Sequence, residues 1–147
     1  MYKKHKIVFC IVGIILFAVS WWFKLDYSVI ASEVATVISI VLAIYMTSFS
    51  SLISSELAEK MKNKEDEFIK GKSQLGVLRT YLNLAVASGI LNIMLGCIVL
   101  LYKDILKEIY NTIYYLLSSI VFSTFGLNLT LMYLLYNFMV NRQLWSK

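Results

Sequence analysis

The sequence predicts an all-α polytopic membrane protein with four transmembrane helices, of which helices 2 and 3 extend into a cytoplasmic helical hairpin. Three observations predict it. Hydrophobic residues make up 59% of the 147 and charged ones 16%, against roughly 25% charged in a soluble domain. The apolar residues fall in four long blocks with the charges squeezed between them, the pattern of a chain whose solvent is lipid. Proline is absent, so no block is interrupted by a ring clash or a missing donor. The length suits a single four-helix transmembrane domain over residues 1–147.

The first block, Ile7 to Phe23, follows Lys3, Lys4, His5 and Lys6. A signal peptide begins this way, but Trp21-Trp22-Phe23 stands where a cleavage site needs small residues, so the block is expected to be a span. The second, Val34 to Ile53, runs for 20 residues without a charge. The third is Tyr81 to Tyr102 and the fourth Thr112 to Val140. Each meets the requirement of about 20 residues to cross the hydrocarbon, and the fourth is long enough to tilt or project. The segment 54–80 reads as a helical hairpin. Ser55 to Lys62 consists largely of good helix formers, and Gly71 and Gly76 are the expected breaks. Helix 2 is expected to leave the membrane without interruption, turn near Gly71 and return as helix 3.

Lys and Arg set the orientation. Eleven lie at the N-terminus, in 54–80 and at the C-terminus, and three (Lys24, Lys103, Lys107) lie on the other side. Both termini are therefore expected in the cytoplasm, at a bacterial inner (cytoplasmic) membrane. A net charge of +5 would suggest nucleic acid in a soluble protein. Here the basic residues flank apolar spans, and no nucleic-acid partner is expected. Cys10 and Cys97 fall near opposite faces, too far apart for the roughly 7 Å a disulfide allows. Trp21, Trp22, Tyr27, Tyr102 and Tyr110 form the expected outer aromatic belt, with Tyr81 and Trp145 at the inner one.

On a wheel of 100° per residue, Ser32, Thr36, Ser39, Ala43, Thr47, Ser50 and Ser54 share one arc of helix 2. Leu57, Met61 and Phe68 continue it into water, as the expected surface for cytoplasmic packing or a partner. Helix 3 offers Ser88, Gly89, Asn92 and Gly96 as a mate, with Ala85 on the same side. Helix 4 repeats the device with Ser119, Ser123, Gly126 and Thr130. Two readings compete for these stripes. Small residues allow close helix packing, and hydroxyls also line wetted pores.

Asn92 and Asn128 are the most polar groups near mid-span, where an unpaired amide costs several kcal/mol. Asn128 points away from the small-residue face of its helix, so it is a candidate oligomer contact, with a bond to a neighbouring helix of the same chain as the alternative. Glu33, near the outer end of helix 2, is the candidate ion or proton group. The charged hairpin is a candidate docking surface for a cytoplasmic protein. Chemistry is sparse elsewhere. His5 is the lone histidine, no metal-ligand cluster, nucleophile pair or nucleotide motif occurs, and no catalytic residue or cofactor is implied. An enzyme is not expected.

The order of parts resembles small bacterial and phage membrane proteins of antiviral defence. The matching features are the size, the four spans, and a hydroxyl-rich second span, Thr47-Ser48-Phe49-Ser50-Ser51, running into a charged cytoplasmic hairpin. The likeness is to the phage lambda Rex exclusion type and, more loosely, to the membrane subunits of Kiwa-type systems. It implies an oligomeric effector or sensor, acting by membrane permeabilisation or by recruiting a cytoplasmic partner. Bacteriocin-immunity proteins, holins and transporter accessory subunits share the outline, so a non-conducting clamp on another membrane protein, or a holin-like pore, is the alternative. The resemblance assigns a role to no single residue.

Overall fold

A computed structural model describes residues 2–66 and 69–144, with the side chains of Leu57 and of 139–144 left aside. It is built from helices: α1 (Lys3–Trp22), α2 (Ala31–Ile53), α3 (Glu56–Asn63), α4 (Gln74–Ile109) and α5 (Asn111–Leu144), with a 3-10 turn at Tyr27–Val29. Among the described residues, four helices are long and apolar enough to cross a membrane: α1, α2, α4 and α5.

The four long helices stand in the order α1, α5, α4, α2, each packed mainly on its neighbours in that row. The α4–α5 pair shares the largest interface. A single non-helical residue, Tyr110, separates these two helices. The outer members are correspondingly bare. In α1 only Gly13 and Ser20 are buried, and in α2 only Ala31, Val34 and Ile38.

Local chemistry explains the element boundaries. After α1 the amide of Leu25 reaches the Ser20 carbonyl at 3.0 Å and that of Lys24 reaches Trp21 at 3.3 Å. Lys24 sits at φ 48°, the left-handed residue that such a helix stop requires. Helix α2 does not continue into the hairpin as the sequence suggested. It stops at Ile53, and α3 starts afresh at Glu56. The Ser54 hydroxyl donates back to the Ser50 and Ser51 carbonyls, and that of Ser55 to Leu52 at 2.6 Å. The chain leaves the helix at Ser55, which is extended at φ −95° and ψ 155° while its amide closes a tight last turn on the Leu52 carbonyl at 3.0 Å. Gly71, at φ 79°, makes the expected turn. Gly76 breaks nothing: it lies in the first turn of α4 and donates its amide to the Ser73 hydroxyl that caps the helix, at 3.2 Å.

Two apolar clusters fill the row. At the hairpin end, Met61 joins Val77, Leu78, Tyr81, Leu82, Leu131 and Leu135. At the other end lie Tyr27, Val34, Ile38, Val99, Tyr114 and Val121.

Candidate functional site

Among the described residues, polar side chains gather in the buried seam between α4 and α5, around Asp26 and Tyr81, and on the outward side of α2.

The seam is organised by two amides. Asn92 on α4 donates to the Val121 carbonyl and the Thr124 hydroxyl of α5, both at 2.9 Å. Asn128 on α5 donates to the Ala85 carbonyl at 2.8 Å and the Ser88 hydroxyl at 2.9 Å on α4. Each amide thus clasps a carbonyl and a hydroxyl three residues apart on the opposing helix, and both are fully buried. The two clasps are related by a constant offset of 36 residues: Ala85 to Val121, Ser88 to Thr124, Asn92 to Asn128. That near-repeat, a hydroxyl residue four before an Asn on adjacent spans, is the sequence signal that a search for stripes alone misses.

Of the two partners open to Asn128, its Nδ2 takes the neighbouring helix of the same chain. Helix α5 is central in the row and buries two sides. Its small side takes α1, with the Ser123 hydroxyl donating to the Gly13 carbonyl at 2.9 Å and Gly126 beneath Leu16. The side away from that face takes α4, where both donor hydrogens of Asn128 are used and its Oδ1 is buried without a protein partner. Ser119 is buried and Thr130 half-buried, their hydroxyls bonded to the carbonyls of Tyr115 and Gly126.

Tyr27 departs from the expected place. Instead of joining the interfacial belt it is 1% exposed, and its hydroxyl donates to Asn92 Oδ1 at 2.8 Å. Gly96 makes room for it, since a Cβ there would meet the ring at 3.2 Å. Tyr81 is also fully buried, its hydroxyl 2.6 Å from His5 Nδ1 and accepting the Tyr2 amide at 3.1 Å. Of the other belt residues, Trp21, Trp22, Tyr102 and Tyr110 are exposed, and Trp145 lies outside the described residues.

At the end of the row opposite the hairpin, Asp26 gathers Lys107, Tyr114 and Ser28. Lys107 and Tyr114 donate to its carboxylate, as does the Ser28 hydroxyl at 2.7 Å. Burial works to raise the Asp26 carboxyl, but the bonds from Lys107, Tyr114 and Ser28 outweigh it and hold it at about 2.

The α2 stripe sits elsewhere than expected. Ser32, Thr36, Ser39, Ala43, Thr47, Ser50 and Ser54 are all exposed. The notch on α4 is filled instead by the large residues of α2: a Cβ at Gly89 would meet Leu42 at 2.8 Å and Ile38 at 3.1 Å. Val34, Ile38, Leu42, Tyr45 and Phe49 turn inward, roughly 140° from the stripe at 100° per residue. Most hydroxyls of the stripe are satisfied by their own helix. Thr36 donates to Ser32, Ser39 to Ala35 and Thr47 to Ala43, at 2.9, 2.7 and 3.0 Å.

Glu33 is exposed in the first turn of α2 and accepts from the Ser32 hydroxyl at 2.9 Å. A carboxylate at a helix N-terminus complements the dipole, which explains its place without an ion path. In the hairpin Met61 is buried at 6%, and Phe68 lies outside the described residues. The chain matches no protein-family model, no curated protein and no solved structure.

Proposed function

We propose that this chain is a non-enzymatic, multi-pass protein of the bacterial inner membrane that works as a homo-oligomer, with both termini and α3 in the cytoplasm. One observation carries the proposal, the continuous stripe of small and hydroxyl residues that α2 leaves uncovered. Where lipid is the only neighbour, Val, Ile and Leu suit the outer side of a helix. Helix α2 turns Val34, Ile38 and Leu42 inward and, beside the exposed Val37, Ile40 and Ile44, presents its small hydroxyl residues outward along its length. Their spacing of 4, 3, 4, 4, 3 and 4 forms the close-approach surface on which transmembrane helices associate. The back-bonded hydroxyls of Thr36, Ser39 and Thr47 let those positions meet a second copy without leaving a donor orphaned.

In this reading the assembly is an effector or sensor of host–phage conflict. It permeabilises the membrane along the α2 hydroxyls or recruits a cytoplasmic protein at 54–80. Cysteine crosslinking in membranes tests it, after replacement of the exposed Cys10 and Cys97 by serine. Ser39→Cys and Thr47→Cys should form dimers, and Val37→Cys, exposed on another side of α2, should not. Thr47→Leu should abolish both the Ser39→Cys crosslink and any depolarisation on overexpression. A chain that stays monomeric at all three positions defeats the proposal. Crosslinking without depolarisation, together with a co-purifying membrane protein, would instead identify a non-conducting immunity or accessory subunit.

A further inference from the structure

Between α2 and α4, at the end where α2 gives way to α3, lies an open groove of about 1100 Å³. Its walls are apolar: Met46, Phe49 and Ile53 on α2 face Leu82, Val86 and Ile90 on α4. Met46, Ile53 and Ile90 remain 51%, 54% and 50% exposed. Its mouth is charged and carries both signs. Glu56, Glu59 and Lys62, three residues apart on one side of α3, stand with Arg79 of α4. None of the four is ion-paired with another described residue.

We infer that this groove binds one phospholipid with an ethanolamine-type headgroup, an acyl chain along the apolar walls and the headgroup in the charged mouth. Depth is the first argument. Arg79 to Ile90 is eleven residues of continuous helix, about 16 Å of rise, roughly half of the ~30 Å hydrocarbon core. The groove is therefore one leaflet deep, too short for a spanning helix and matched to an acyl chain. Position is the second. The walls belong to the apolar spans, while Glu56, Glu59 and Lys62 lie beyond the end of α2, so the change from apolar to charged lining falls at headgroup level. Charge is the third. Lys62 and Arg79 supply donors for a phosphate, and Glu56 and Glu59 supply acceptors for a primary ammonium. An anionic headgroup would satisfy only the basic pair and leave two carboxylates facing it. This binding requires insertion in a bilayer but not assembly of copies through the α2 stripe.

Native mass spectrometry of the protein, released from nanodiscs of equimolar dioleoyl-phosphatidylethanolamine and dioleoyl-phosphatidylglycerol, provides the test. One phosphatidylethanolamine per chain should be retained, favoured over phosphatidylglycerol by at least about fivefold, the scale of one effective charge contact. Glu56→Gln with Glu59→Gln should erase that preference while a lipid is still retained. Ala87→Trp, which fills the groove from its lining, should abolish retention in a protein whose melting temperature is unchanged. The same spectra report oligomeric state. No retained lipid, a preference for phosphatidylglycerol, or loss of dimer in place of loss of lipid on Ala87→Trp would each overturn the inference, the last by making a second copy the occupant.

Discussion

Asn92 and Asn128 make the same pair of donations in mirror relation, yet they are not energetically alike. Asn92 also accepts from Tyr27, so its amide is used at both ends. Asn128 Oδ1 is buried with no protein partner, and a half-satisfied polar group recovers part of its cost when an apolar residue replaces it. Asn92→Leu should therefore destabilise by about 1.5–2 kcal/mol, and Asn128→Leu by under about 1 kcal/mol. Denaturation in mixed micelles would measure both, and the reverse order would refute this accounting. Asp26 yields a pH dependence. Its carboxyl falls from 3.8 to about 2 on folding, so its ionised form stabilises the fold fully above the unfolded value, and the benefit is lost as pH falls through the folded one. The stability gap between the native chain and Asp26→Asn should be flat from about pH 5 to 8 and close below about pH 4. A gap that widened in acid would contradict the bonding around Asp26.

At the scale of elements, Gly89 decides how α2 meets α4. A side chain there would meet Leu42, Asn128 and Ile38 together, the closest at 2.8 Å. Gly89→Val should push the two helices apart and cost about 2–3 kcal/mol, whereas Gly76→Ala, which meets only the Ser73 hydroxyl at 3.3 Å, should cost under about 1 kcal/mol. A thermal-shift comparison in detergent separates the two. The same contact shows what the sequence could convey. Block lengths and the lack of proline announced the long apolar helices, and the wheel placed the hydroxyls of α2 on one arc. A wheel gives faces, however, and not neighbours. In lipid no hydrophobic penalty tells which face turns inward, and the large residues of α2 fit the Gly89 notch better than its small ones do. Tyr27 was misread for a related reason. A tyrosine at a span boundary satisfies its hydroxyl equally at a headgroup or on a buried amide, and only the space left by Gly96 selects the second. The stop at Ser54 was invisible in the sequence because no glycine or proline marks it.

The molecule as a whole is a row in which α5 and α4 are covered on two sides and α1 and α2 on one. Its cohesion should be graded accordingly. Force applied in a bilayer should extract the α4–α5 pair last, after α1 or α2 has come away. Simultaneous rupture of all four helices in single-molecule traces would argue against the row. The joint at Tyr110 has a consequence for biogenesis. With one residue between Ile109 and Asn111, α4 and α5 have no flexible linker that would let one be placed independently of the other. In a membrane the two helices should therefore insert as a couple, and an insertion assay that catches α4 in lipid without α5 would refute this.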